Sequence, residues 1–280
     1  MWSIFKSPLI IGASIDTEKT PKESLDILTN EEVIAINQDP LGKPVELVRR
    51  YTEEEYDILA GELSGDRLVV GIANWKNDSQ TIELDLSAVG VESANARDVW
   101  AASDLGLLSG SQEFDLGEHE LKLLVLSDIF TSDEPLSSGY YTAADASLEG
   151  PATVVTCDEG DCNPAGSKIG NIAEDSTVTF SSVDVATGGK KLIGVDYINY
   201  DYAFTTAWDL GSNIRNMTVA VNGDEPKRWA FPLSGGDWYE TGRMMIEVDG
   251  FTEGSENEVV FSGFPDSGFA PDLVGFEVFE

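Results

Sequence analysis

Few of the 280 residues are of a type and spacing that can do chemistry. The two cysteines, Cys157 and Cys162, lie in CDEGDC. With no second pair and no histidine nearby, a zinc site is not expected. The spacing lets the sulfurs meet in a small disulfide loop, an expectation that needs an oxidising compartment. Two free thiols are the alternative. The single histidine, His119, precedes a strand-like run and has no nucleophile or metal partner beside it, so its reading is structural. In SGGDWYETG, Trp238 and Tyr239 stand in a glycine-rich loop, where an exposed aromatic is costly unless it is used. A core role is the alternative reading. Asn77-Asp78-Ser79 and Asn216-Met217-Thr218 are sequons, making Asn77 and Asn216 expected glycan acceptors in a secreted eukaryotic protein. No spacing singles out a working pair among the 51 Asp and Glu, which read as solvated surface.

Those acids stand against only 17 Lys and Arg, a formal net charge of −34. Such a chain repels phosphate backbones and anionic bilayers, so neither nucleic acid nor membrane is an expected partner. No segment is long and apolar enough to cross a membrane. In MWSIFKSPLIIGAS the only positive residue lies inside the apolar run rather than before it, which is the pattern of a folded segment and not of a signal peptide.

The elements that must position these residues fall into three regions. Residues 1–44 read as one β-α unit: SPLIIG is a continuous apolar run suited to a strand buried on both faces. PKESLDILTNEEVIAINQ then has helical spacing, with Pro21 at its start and Asp39-Pro40 and Leu41-Gly42 at its end. Residues 45–130 alternate with a period of two across about seven short strands, including RLVVGIANW and HELKLLVLSDI, and predict an antiparallel β-sandwich. WKNDSQ reads there as a hairpin turn. TSDEPLSSG (131–139) is a linker by composition. Residues 140–280 alternate again over roughly ten strands with aromatics and Gly-rich turns, the pattern of a jelly roll, with Trp229 in its core. The fold class is mainly β. A lone β-α unit cannot bury its strand, because parallel strands need neighbours and helices on both faces. Residues 1–44 are therefore expected to pack poorly or to dock on the first sandwich, exposing Leu9, Ile10 and Ile11.

MWSIFKSPLIIGAS followed by ILTNEEVIAINQDPLGKP resembles the last β-α unit of the α-galactosidases of glycoside hydrolase family 27. In that family the unit closes a (β/α)8 barrel and leads into a C-terminal β-sandwich. YTAADASLEG and GFAPDLVGFEV resemble the first and last strands of a family 35-type carbohydrate-binding module. The resemblance implies retaining hydrolysis of terminal α-D-galactose from galactosides and galactomannans, secretion, and plant polysaccharide as a partner. It also implies that the barrel's missing N-terminal part is a partner of this remnant. A barrel takes about 250 residues, far more than residues 1–44 supply. A retaining glycosidase needs two carboxylates about 5 Å apart. The family's two catalytic aspartates have no counterpart in this sequence, so no catalytic residue is assigned and these 280 residues are expected to be inactive. The alternative is a non-catalytic carbohydrate-binding protein.

The same resemblance places Ser14 at the edge of the sugar pocket, where an Asp is common. It makes Trp238 and Tyr239 carbohydrate-binding, and gives Asp272 the place of an Asn that binds a sugar hydroxyl. An ionised Asp can only accept there. Such modules often hold calcium, but Thr142-Ala143-Ala144 and Val274 stand where acidic ligands are usual. No metal and no cofactor are expected.

Overall fold

The structure is a computed structural model that describes residues 1–12, 16, 19–157, 162–201, 213–265 and 267–280. Ser14 lies outside the described residues. The chain divides into two compact units, Met1–Arg49 with Glu55–Glu134, and Arg50–Glu54 with Pro135–Glu280.

In the first unit the helical run does not form one helix. It splits into α1 (Lys22–Leu28) and α2 (Glu31–Asn37). Asn30 is the reason, because its side chain accepts from the Val33 amide 3.0 Å away and caps a new helix start. Residues 7–12 form no strand, contrary to the expectation for SPLIIG, and Leu9, Ile10 and Ile11 are exposed. A parallel strand finds no match in the ladders between Tyr56 and Thr131, which are antiparallel. The segment docks on the sandwich instead. Ile4 is wholly buried and packs with Val33 and Ile36 against Leu59, Val69 and Leu123. Hydrogen bonds to main-chain carbonyls fix the seam: the Val45 amide donates to Ile4 at 3.0 Å, the Asn37 side-chain Nδ2 to Ser7 at 2.9 Å, and the Lys6 ammonium to Ile36.

Eight strands follow: β1 (Glu46–Tyr51), β2 (Tyr56–Leu63), β3 (Arg67–Asn74), β4 (Gln80–Asp85), β5 (Val91–Asp98), β6 (Ser103–Ser109), β7 (Ser111–Leu116) and β8 (Leu121–Thr131). Six form a sheet in the order β1-β2-β3-β8-β5-β6, and β4 pairs with β7. Alternation explains the burial. Leu59, Val69 and Leu123 face the helices, while Ile58, Val70, Ile72, Leu124 and Leu126 fall on the opposite face and are buried as completely. WKNDSQ is not a hairpin, because β3 and β4 belong to different sheets. Buried Asn74 turns the chain: its amide nitrogen donates to Asp78 and Gly117 carbonyls at 2.9 and 2.7 Å. Its oxygen accepts from the Lys76 amide and Gln80 side chain at 2.9 and 2.7 Å. Strand β6 was not anticipated, since its residues are almost all exposed; it forms the sheet edge with Leu105 and Leu107 in the open.

The second unit is a two-sheet antiparallel sandwich of β9 (Ser137–Thr142), β10 (Ser147–Glu149), β11 (Thr153–Thr156), β12 (Ser167–Gly170), β13 (Thr177–Val185), β14 (Gly189–Ile198), β15 (Arg215–Val221), β16 (Lys227–Phe231), β17 (Gly242–Phe251), β18 (Gly254–Gly263) and β19 (Asp272–Phe279). One sheet runs β10-β13-β18-β15-β16; the other runs β11-β12-β19-β14-β17, with β9 also paired to β19. Between them Phe180, Phe261 and Phe276 meet edge-on or tilted at 4.9 to 5.9 Å, a favoured aromatic geometry. Trp229 and Tyr197 are buried in the same core.

Candidate functional site

The loop between β16 and β17 carries SGGDWYETG, in which Gly235 and Gly242 answer to close approach. A Cβ on Gly235 would lie 2.4 Å from Glu240, whose carboxylate accepts from the Gly236 amide at 2.7 Å. Asp237 accepts from the Tyr239 and Glu240 amides at 2.7 and 2.9 Å, so the turn is held by its own side chains. Ser234 closes the base, with its hydroxyl donating to the Glu240 carbonyl at 2.8 Å and its amide to the Asn199 carbonyl at 2.9 Å. The loop is small, braced by its own hydrogen bonds and carries two aromatics.

Those aromatics differ. Trp238 is partly buried and packs on a small cluster of Cys157, Cys162, Ile198 and Val274. Arg215 and Lys168 lie over its ring at 5.0 and 5.8 Å, and Tyr200 meets it edge-on at 6.2 Å. Tyr239 is 47% exposed, with Lys168 5.1 Å from its ring centroid. Cys157 and Cys162 are joined as a disulfide.

Lys168 is the residue that sequence reasoning missed. Its side chain is 7% exposed and pairs with Asp272 at 2.8 Å, while its ammonium also donates to the Trp238 carbonyl. Asp272, expected to meet a sugar hydroxyl, is thus committed to an ion pair beneath the loop. The available signal was weak: in SKIG, alternation sets Lys168 on the face opposite core Ile169, where a lysine reads as solvent-facing, and only the loop that covers it forces it to find an acid. Arg215 is tied likewise, to Asp201 at 3.3 Å and to the Ala270 carbonyl at 3.0 Å.

The other expected residues fall elsewhere. Asn77 is exposed in the β3–β4 crossover, and its side-chain oxygen accepts from His119 Nε2 at 2.9 Å. Asn216 lies inside β15, paired with Ala230 of β16. The positions where calcium ligands would stand do not suit a cation. Val274 is fully buried in hydrocarbon, and the Thr142 hydroxyl is taken up by Asp145 at 2.7 Å. Among the described residues no group of three or more His, Cys, Asp or Glu could hold a metal. In the first unit a cleft of about 950 Å³ opens between the β2–β3 turn and the end of β8, lined by Leu41, Asp66, Arg67, Asp128 and Phe130. No sequence expectation fell there.

Residues 53–126 match the alpha-galactosidase C-terminal beta-sandwich domain. The whole chain is similar to curated fungal proteins. A probable alpha-galactosidase D of Aspergillus oryzae is 30% identical over 386 positions, covering 99% of this chain and 58% of the relative. An alpha-galactosidase D of Emericella nidulans is 29% identical over 389 positions, covering all of this chain and 58% of the relative. The chain thus spans little more than half the length of these relatives, and the matched spans are longer than its own 280 residues. Among solved structures, alpha-galactosidase I of Mortierella vinacea is 27% identical over 47% of this chain and 34% of its own, with a TM-score of 0.43. A family 35 carbohydrate-binding module of Clostridium thermocellum is 21% identical over 51% of this chain and 99% of its own, also with a TM-score of 0.43.

Proposed function

We propose that the chain is the C-terminal, carbohydrate-engaging portion of a secreted α-galactosidase of glycoside hydrolase family 27, a reading supported by the match of residues 53–126 and by the similarity of the whole chain to alpha-galactosidase D proteins. Its second unit grips galactoside-bearing polysaccharide through the β16–β17 loop. The observation that carries the reading is Tyr239: a half-exposed phenol ring on a hydrogen-bonded glycine-rich turn, in a chain similar along its whole length to α-galactosidases. Such a ring takes the apolar face of a pyranose. Trp238, already engaged by Arg215, Lys168 and Tyr200, serves as the pillar under it.

Retaining hydrolysis needs a nucleophile and an acid/base about 5 Å apart across the scissile bond. Nothing in these 280 residues corresponds to the family's two aspartates, and we infer that this polypeptide alone is catalytically incompetent. Galactose release belongs to a barrel of which residues 1–44 are the last unit. Assayed as purified protein on an aryl α-galactoside, it is expected to give no turnover above background; measurable turnover overturns the inference. Electrophoresis through a gel containing galactomannan is expected to retard the protein, and Tyr239→Ala to lose that retardation. Equal mobility with and without polysaccharide removes the binding reading. In a secretory pathway Asn77, exposed in its loop, would be the accessible glycan acceptor, and Asn216, within a paired strand, the hindered one.

A further inference from the structure

The aromatic loop is held in an unusual way, by its main chain. The Cys162 amide donates to the Tyr239 carbonyl at 3.1 Å, and the Lys168 ammonium donates to the Trp238 carbonyl. The donors Cys162 and Lys168 lie six positions apart, and the residues around them are fastened. The Cys157 amide donates to Gly166 at 2.9 Å, the Gly166 amide to the Cys162 carbonyl at 2.9 Å, and Lys168 leads into β12 with its ammonium on Asp272 at the start of β19. The disulfide itself is not spare structure. Cys157 and Cys162 are both buried, and with Ile198 and Val274 they make the floor on which Trp238 rests.

We propose that the Cys157–Cys162 disulfide and Lys168 together form a clamp that presents Tyr239 to the glycan, so that polysaccharide binding requires the oxidised chain. The proposal rests on the sugar-binding reading of the loop. Separating the sulfurs frees the position of Cys162 and so weakens its hydrogen bond to the Tyr239 carbonyl. It also removes the floor beneath Trp238. The main core of the sandwich, with Phe180, Phe261, Phe276 and Trp229, forms a separate cluster and does not depend on that loop. Lys168 and the cystine are positioning groups; neither is asked to touch the sugar.

Reduction by dithiothreitol balances simply. Two electrons and two protons pass to the cystine, the S–S bond breaks, two S–H bonds form, and the reagent closes to its cyclic disulfide. Binding of the whole 280-residue chain to soluble galactomannan is measured oxidised, reduced and reoxidised, and for Cys157→Ser/Cys162→Ser, Lys168→Met and Lys168→Arg. Hydrogen exchange over residues 234–241 and far-ultraviolet circular dichroism are followed in parallel. The clamp predicts at least a tenfold loss of affinity on reduction, faster exchange in the loop, an unchanged β-sheet spectrum and recovery on reoxidation. Lys168→Met should lose affinity with the disulfide intact, and Lys168→Arg should regain part of it.

Reduced protein that binds as oxidised protein does, while Tyr239→Ala does not bind, overturns the clamp and leaves the site. Loss of affinity together with loss of the sheet spectrum also overturns it, since the disulfide would then hold up the whole unit. Wild-type affinity in Tyr239→Ala overturns the site instead. The exchange rates then judge the clamp without any sugar: loop protection unaltered by reduction counts against it.

Discussion

At the scale of single residues, several side chains do their work by accepting or donating where sequence alone shows only charge. Glu280 is the clearest case. Its carboxylate accepts from Ser138, the Ala186 amide and Thr187 at 2.7, 2.6 and 3.1 Å, and pairs with buried Lys191. Burial alone would raise its pKa, but these donors outweigh that and bring it from 4.5 down to about 2. A carboxylate whose folded value is depressed stabilises fully above its ordinary value, and that share is lost as pH falls toward 2. Glu280→Gln should therefore melt below the parent protein at pH 6, with the gap closing between pH 4.5 and 2. A gap that stays constant over that range refutes this account. Asp39 behaves alike in the first unit, where Ser64 donors overcome burial and hold its pKa low.

At the scale of elements, the N-terminal segment, expected from sequence as a strand and a helix, forms two short helices and no strand before Glu46 among its described residues. Its helices are held by a few anchors. Ile4, Val33 and Ile36 are buried, whereas Ile10 is 79% exposed and Trp2 67% exposed. Ile4→Ala removes a fully buried side chain and should cost about 2–5 kcal/mol. Limited proteolysis should then cut residues 1–44 faster than in the parent, with the strands after β1 still protected; equal cleavage of the two proteins contradicts the docking. Much of this architecture was legible. Alternation in TVTFSSVDV gave a strand because one face had to be apolar, and the apolar run of RLVVGIANW gave one buried on both faces. The breaks were less so. The cap at Asn30 looked like one more polar residue in a helical run, and the crossover after β3 depends on Asn74, whose four hydrogen bonds reach residues up to 43 positions away. At the site, the aromatics stood out by type, but Lys168 acts through an acid more than a hundred residues on, a pairing that no local pattern encodes.

For the molecule as a whole, a formal charge of −34 sets the terms of its stability in solution. Self-repulsion within so acidic a chain destabilises compact states and is screened by salt. Raising sodium chloride from about 10 mM to about 150 mM shortens the screening length from about 30 Å to about 8 Å. The melting midpoint at neutral pH should rise by a few degrees, and a flat or falling trend would show that local ion pairs outweigh the global field. The same charge guards strand β6. That outermost strand offers unpaired amides and carbonyls beside Leu105 and Leu107, a surface onto which another polypeptide's edge could zip. Mutual repulsion of so acidic a chain opposes such pairing. Acidifying a concentrated stock until its carboxylates are mostly neutral would therefore turn a clear solution cloudy, beginning at that rim and well before either core comes undone.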